Sequence, residues 1–400
     1  MKKLGRPPCL LDVVEEHLEE LDFLWEQREG VIFAPDWTLA ELAALEDRAE
    51  AQLDGLRVAE LHAVDLARPR LAGEETFAAT AATFVLMETG LPQLADEVVE
   101  ALAKAGTPEL RDGIRIGLRH SRLADRDRTR LVELSRSRVL ELAIAAADVL
   151  AFQRIDFARS SLDGTEAERA ADRELALGVA GRRRELVDEA RLRRALADPE
   201  SSVRSAALRA AAASRCPQLA TLCRGVAVAD PVAAGEAIAM LGVLGDPMDF
   251  ELLRAATRDP SRAVAAIEAL GALGRVEAVP PLLAMLDDEA LARPAAAAFT
   301  RITGQAIDDL ASDPGAAGEG DDDAEPLPDA RHANSTWERM QARFSPDTRW
   351  QAGIRLDGWG PFVDGLPLAV RRDLYLARAA QSGPEQSVPE LEARARRQSV

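Results

Sequence analysis

The side chains able to carry chemistry in this 400-residue chain are four histidines, three cysteines, 68 acids and a dense run of arginines. His17, His62, His120 and His332 are scattered, and none sits three or four residues from a second His or after a Glu. Helical metal sites use that spacing to aim two ligands inward, so no metal is expected. Cys216 and Cys223 lie seven residues apart and would share one helical face, with sulfurs about 10 Å apart at the helical rise. That is too far for one zinc, and both are expected to be small buried apolar residues. With Cys9 they make three thiols, too few for a disulfide framework, which fits a reducing cytoplasm. Neither a phosphate-cradling Gly-rich loop followed by Lys-Ser or Lys-Thr nor a Gly-x-Ser-x-Gly elbow occurs, so no cofactor or nucleophile is expected. Carboxylates are abundant, but on helices they belong on solvated faces, and no pair stands out as an acid and its base.

Two features do stand out. Arg111, Arg115, Arg119 and Arg122 recur at steps of four, four and three, which lines them along one side of a helix. Residues 111–138 hold nine arginines against four acids. Guanidinium groups bind carboxylates and phosphates bidentately. The stripe is therefore either a solvated face paired with neighbouring acids or a docking face for an acidic segment of a protein partner. The second feature is Trp337, Trp350 and Trp359 near the C-terminus. These either shield the open end of a helical array or form a partner pocket.

Helices must position both features. Apolar residues make up 47% of the chain, but aromatics only 4%, so Ala and Leu supply most of the hydrophobicity and favour helix over strand. Leu11, Val14, Leu18, Leu21 and Trp25 mark one helical stripe, and Thr38 with Glu41 forms a capping box opening a second helix. Residues 1–57 are thus expected to be an acidic helical pair. From 58 to 310 helix follows helix, broken by Gly and Pro. Asp-Pro steps at 198, 230 and 259 are spaced by 32 and 29 residues, a period that holds two short helices. One such hairpin cannot bury its apolar side alone, so stacked copies must share a core. Val264, Ile267, Leu270 and Leu273 mark one buried face, and Gly271 and Gly274 allow a neighbouring helix to come close. Residues 311–333, with Asp321, Asp322 and Asp323, are expected to be an acidic linker. Residues 334–400 should form an aromatic-rich helical cap entered through a capping box at Ser335 and Glu338. The first residues are interrupted by Asp12, Glu15 and Glu16, and no apolar run nears the ~20 residues of a membrane span, so a cytoplasmic protein with no membrane contact is expected. A net charge of −19 disfavours nucleic acid as the main partner.

The pattern Asp198-Pro199, Val203-Arg204, Ala207 resembles the HEAT repeat in a short form. More specifically, His17, Leu24-Trp25 and Leu53-Asp54-Gly55-Leu56, with the closing stretch around Trp350 and Trp359, resemble an uncharacterised bacterial family of HEAT-repeat proteins. Some of its members are encoded beside type VI secretion genes. The resemblance implies an all-α solenoid of short hairpins with a scaffold or adaptor role, and it supplies no catalytic residues. The enzymatic alternative is a HEAT-like alkylpurine DNA glycosylase or bilin lyase, for which Asp125 or Asp127 would be the carboxylates nearest the arginines.

Overall fold

The computed structural model describes residues 10–32, 34–157, 166–185, 189–307, 327–356 and 365–382. The protein is all-α, with nineteen α-helices among the described residues and one two-stranded hairpin. The chain divides into two compact units that part between residues 186 and 187. That boundary falls inside the stretch 58–310 that the sequence pattern assigns to one array.

The first unit contains α1 (Leu11–Val31), α2 (Leu39–Ala59), α3 (Leu61–Ala67), α4 (Thr76–Glu88), α5 (Pro92–Lys104), α6 (Pro108–His120), α7 (Asp125–Leu134), α8 (Leu140–Phe152) and α9 (Ala170–Arg183). The predicted capping box is present: the Glu41 N–H donates to Thr38 Oγ1 at 3.3 Å, and the Thr38 N–H donates to Glu41 Oε2 at 2.8 Å. The pair α1–α2 is not a separate domain. Leu18, Leu21, Trp25 and Leu53 share one buried cluster with Phe84, Ile114 and Leu150. Charge marks the outer surface of these two helices, whereas their apolar stripe decides what they join.

At the centre lies α4, buried at every position from Ala79 to Met87. α6 reaches it through Gly113 and Gly117, where an added Cβ would collide with the Thr76 carbonyl and with the Thr83 side chain. The Thr80 hydroxyl donates to the Gly113 carbonyl at 3.0 Å, so the close approach also satisfies a buried polar group. On the other side, His17 packs its ring over Gly55 and bonds Gln52 across 2.6 Å.

The second unit carries the regular repeat. α10 (Glu189–Leu196), α11 (Ser201–Ala213) and α12 (Leu219–Ala229) precede α13 (Ala234–Leu244), α14 (Phe250–Ala256), α15 (Ala263–Leu273), α16 (Val279–Ala284) and α17 (Ala292–Thr303). α13, α15 and α17 begin 29 residues apart and pack side by side. Asp230, Asp259 and Asp288 each accept a backbone N–H two residues on, at 2.9 to 3.0 Å, and fix the turn before each helix. Asp288 escapes the sequence reading because Glu follows it instead of Pro. Gly242 and Gly271 occupy equivalent places, and a Cβ on either would lie 2.5 Å and 2.9 Å from the backbone of Ala269 and Ala298. Gly274 has another role, ending α15 in the left-handed conformation at φ +69°. Val264 is exposed while Ile267, Leu270 and Leu273 are buried, because each step of three residues falls about 60° short of a full turn in a helix of 3.6 residues per turn. Arg204 donates to the carbonyls of Asp198 and Pro199 at 2.8 and 2.9 Å and to Glu236 at 2.6 Å, tying one repeat to the next.

α18 (Ala330–Met340) starts earlier than the sequence indicates. Asp329 caps it, accepting from the N–H groups of Arg331 and His332 at 2.9 and 3.0 Å, and this places Ser335 in the helix interior. Most of the expected linker, residues 308–326, lies outside the described residues. The hairpin β1 (Trp350–Gln351) and β2 (Ile354–Arg355) then crosses the C-terminal ends of the repeat helices. The Trp350 N–H donates to the Gly274 carbonyl at 2.7 Å, and the Ala352 and Gly353 N–H groups donate to Arg301 and Ile302 at 2.6 and 3.1 Å. Arg349 donates to the Val243 and Ala272 carbonyls, and the Gln351 amide to those of Gly271 and Ala272. The last carbonyls of a helix have no partner within it, and one hairpin here serves three helices in succession. α19 (Leu368–Ser382) closes this end, with Val370 and Leu374 against Ile354 and Leu356.

Candidate functional site

The arginine stripe of α6 faces inward along most of its length. Arg111 reaches Asp172 on α9 at 3.2 Å. Arg115 donates to Asp148 Oδ2 on α8 at 2.8 Å and lies 3.4 Å from Asp112. Arg182, on α9, takes the other oxygen of Asp148 at 2.6 Å. Arg119 comes only to 3.7 Å of Asp148 and makes no hydrogen bond to it. The side chains of Arg115 and Arg119 are 11% and 14% exposed, and Asp148 is wholly buried. Three helices are therefore joined through one carboxylate.

Burial alone would raise the Asp148 carboxyl, but Arg119, Arg182 and Arg115 overcome it and hold the group below the usual carboxylate range. Burial also draws Arg119 down to about 10; Asp148 opposes this, while Arg182 and Arg115 add to it. The sequence signal for Asp148 is a single acid in the otherwise apolar run Leu142 to Phe152. An acid in that setting needs buried cations, and the stripe one helix earlier supplies them.

An aromatic chain leads away from this cluster. Arg119 lies 4.1 Å over the Phe152 ring, and Arg182 lies 5.6 Å from it. His120 stands between Phe152 and Trp25, with ring centroids 4.8 and 4.9 Å away. Trp25 also packs on Phe84 and carries Arg28 over its face at 4.9 Å. Arg28 donates to Glu46 at 2.9 Å, a pair buried on both sides. No known family model and no curated protein matches this chain.

Trp25 and Glu46 border a cleft of about 810 Å³, with Ala49, Met87 and Leu123 among its apolar lining. Arg122, the last of the stripe, is exposed here and makes no ion pair with the described residues. Its neighbours are committed: Arg57 is shared by Glu50 at 2.7 Å, Glu88 at 3.0 Å and Asp54, while Arg126 pairs with Asp96. Asp127 accepts the Ala124 N–H at 3.1 Å and so closes the start of α7, while Asp125 lies exposed against Arg128.

Of the tail tryptophans, Trp359 lies outside the described residues. Trp350 is buried and donates through Nε1 to the Ser345 carbonyl at 3.1 Å. Trp337 is half-buried between Phe299 of α17 and Phe344, and Phe344 in turn packs on Trp350 at 4.6 Å. The structure brings these two together on the last repeat helix. Cys216 sits in the turn before α12, between residues of positive φ, and so shares no helical face with Cys223. Cys223 is fully buried, and burial together with Asp249 pushes its thiol up to about 12. Among the described residues no group of three or more His, Cys, Asp or Glu is placed to hold a metal, and no helix is long and apolar enough to cross a membrane.

Proposed function

We propose that this chain is a non-enzymatic scaffold or adaptor that holds a protein partner through an acidic segment, acting in the bacterial cytoplasm and serving type VI secretion. The observation that carries this reading is how the buried acids are used. Glu46 is taken by Arg28, Asp148 by Arg115 and Arg182, Asp172 by Arg111, Asp249 by Arg224 and Asp373 by Arg301, each linking one element to another. Such pairs fix geometry by tying one element to the next. The cleft of the first unit then offers what recognition needs: apolar side chains in its lining and a cation, Arg122, free to meet a carboxylate.

The test is affinity capture from the native host with the wild type and with Arg122→Glu. The reading expects a specific protein that the charge reversal loses at unchanged melting temperature. Equal recovery with both baits, or none with either, would count against the cleft.

A further inference from the structure

Unlike Arg111 and Arg115, Arg119 reaches its acid without a hydrogen bond. The two oxygens of Asp148 are occupied by Arg115 and Arg182 at 2.8 and 2.6 Å, so Arg119 is left at 3.7 Å. Its Nε is buried without a hydrogen-bond partner. A guanidinium has five N–H donors in a rigid fork, and no described residue accepts one from Arg119. Its plane is held over Phe152 at 4.1 Å, with Arg182 beside it on the same ring. Stacking on an aromatic face orients a guanidinium and leaves its edge for an acceptor. The side chain as a whole retains 14% exposure.

We propose that Arg119 on its Phe152 platform is a carboxylate-recognition point that takes one acidic side chain of a protein partner. This rests on the interaction reading above and gives it a specific contact. One carboxylate edge matches the two parallel N–H bonds that one guanidinium offers. A phosphate monoester would bring a second negative charge toward Asp148, which is already 3.7 Å from Arg119 Nε.

The probe is a hexaglutamate peptide, acetylated and amidated so that its side chains hold its only carboxylates, titrated calorimetrically into the full chain at low ionic strength. A hexaglutamine peptide and inorganic phosphate are run beside it. The wild type should bind hexaglutamate and not hexaglutamine. Arg119→Gln should bind at least tenfold more weakly, and Arg254→Gln, on α14 and paired with Glu251 away from the cleft, within twofold of wild type. Arg119→Lys keeps the charge beside Asp148, and hence the fold, but removes the fork; it should lose severalfold in affinity. Wild-type affinity in Arg119→Lys, or no binding by the wild type, overturns the assignment. Phosphate binding tighter than the peptide and lost in Arg119→Gln overturns it in favour of a phosphate site. A failure here is distinct from failure of the scaffold reading, which the Arg122 capture experiment tests separately.

Discussion

Asp148→Asn removes the one counterion that Arg115, Arg119 and Arg182 share. Asparagine has the same shape but no charge, so Arg115, Arg119 and Arg182 would stay buried with their shared counterion removed. Breaking a buried ion pair from one side costs about 3–5 kcal/mol. Asn keeps one acceptor oxygen, which can hold Arg115 or Arg182, so the lower end, about 3 kcal/mol, applies. For a unit of this size that corresponds to a fall of roughly 6–12 °C in melting temperature. The pH dependence gives a second check. The arginines hold Asp148 below its ordinary value, so its stabilisation is complete above about pH 4 and is lost progressively as pH falls below that. Asp148→Asn should lack that acid-limb slope. Scanning calorimetry across pH 2–7, with hydrogen exchange of α8 peptides to localise the change, measures both effects. A variant within 1 kcal/mol of wild type, with an unchanged acid limb, would refute the claim that this carboxylate holds α6, α8 and α9 together.

Asp22 should act in the opposite sense. Burial pushes its carboxyl up to about 6 against the opposing pull of Arg70; a raised acid stabilises the fold least when ionised, so wild-type melting temperature should drop between pH 4 and 6, and Asp22→Asn should flatten that drop. Gly242→Ala should cost about 1–3 kcal/mol by overpacking against Ala269, whereas Gly225→Ala, with nothing within 4 Å, should gain roughly 0.5–1 kcal/mol in urea unfolding. Gln351→Ala removes the bonds to the Gly271 and Ala272 carbonyls and should cost about 1–3 kcal/mol, seen as faster hydrogen exchange at the end of α15. A thiol reagent at pH 8 should modify the partly exposed Cys216 and spare Cys223 until the protein unfolds, as quantified by intact mass.

Helical periodicity made most of the elements legible in the sequence. The stripe Val14, Leu18, Leu21, Trp25, the Thr38 cap and the 29-residue repeat all rest on local rules that tertiary context reinforced. Boundaries were harder to place because they depend on which faces meet. The acid-rich surface of α1 and α2 suggested a separate pair, yet their apolar side belongs to the core around Phe84. The repeat that opens at Asp288 has Glu in place of Pro, so the Asp-Pro pattern does not mark it although Asp288 fixes the same turn. The arginine spacing identified a shared helical face but could not give its direction. That depended on Asp148 and Asp172, 33 and 61 residues from the arginines they meet. Nothing local marked Arg349 and Gln351, which complete helix ends more than 75 residues away.

The interaction reading is tested most directly by placing a photo-crosslinking amino acid at Pro92, exposed on the rim of the cleft, and, in a separate variant, at exposed Val139, each in the native host. The account predicts one dominant protein adduct at position 92, mapping to an acidic stretch of the partner, absent at Val139 and lost when Arg122→Glu is added. Identical adduct patterns at both positions, or an adduct at position 92 indifferent to Arg122, would contradict it.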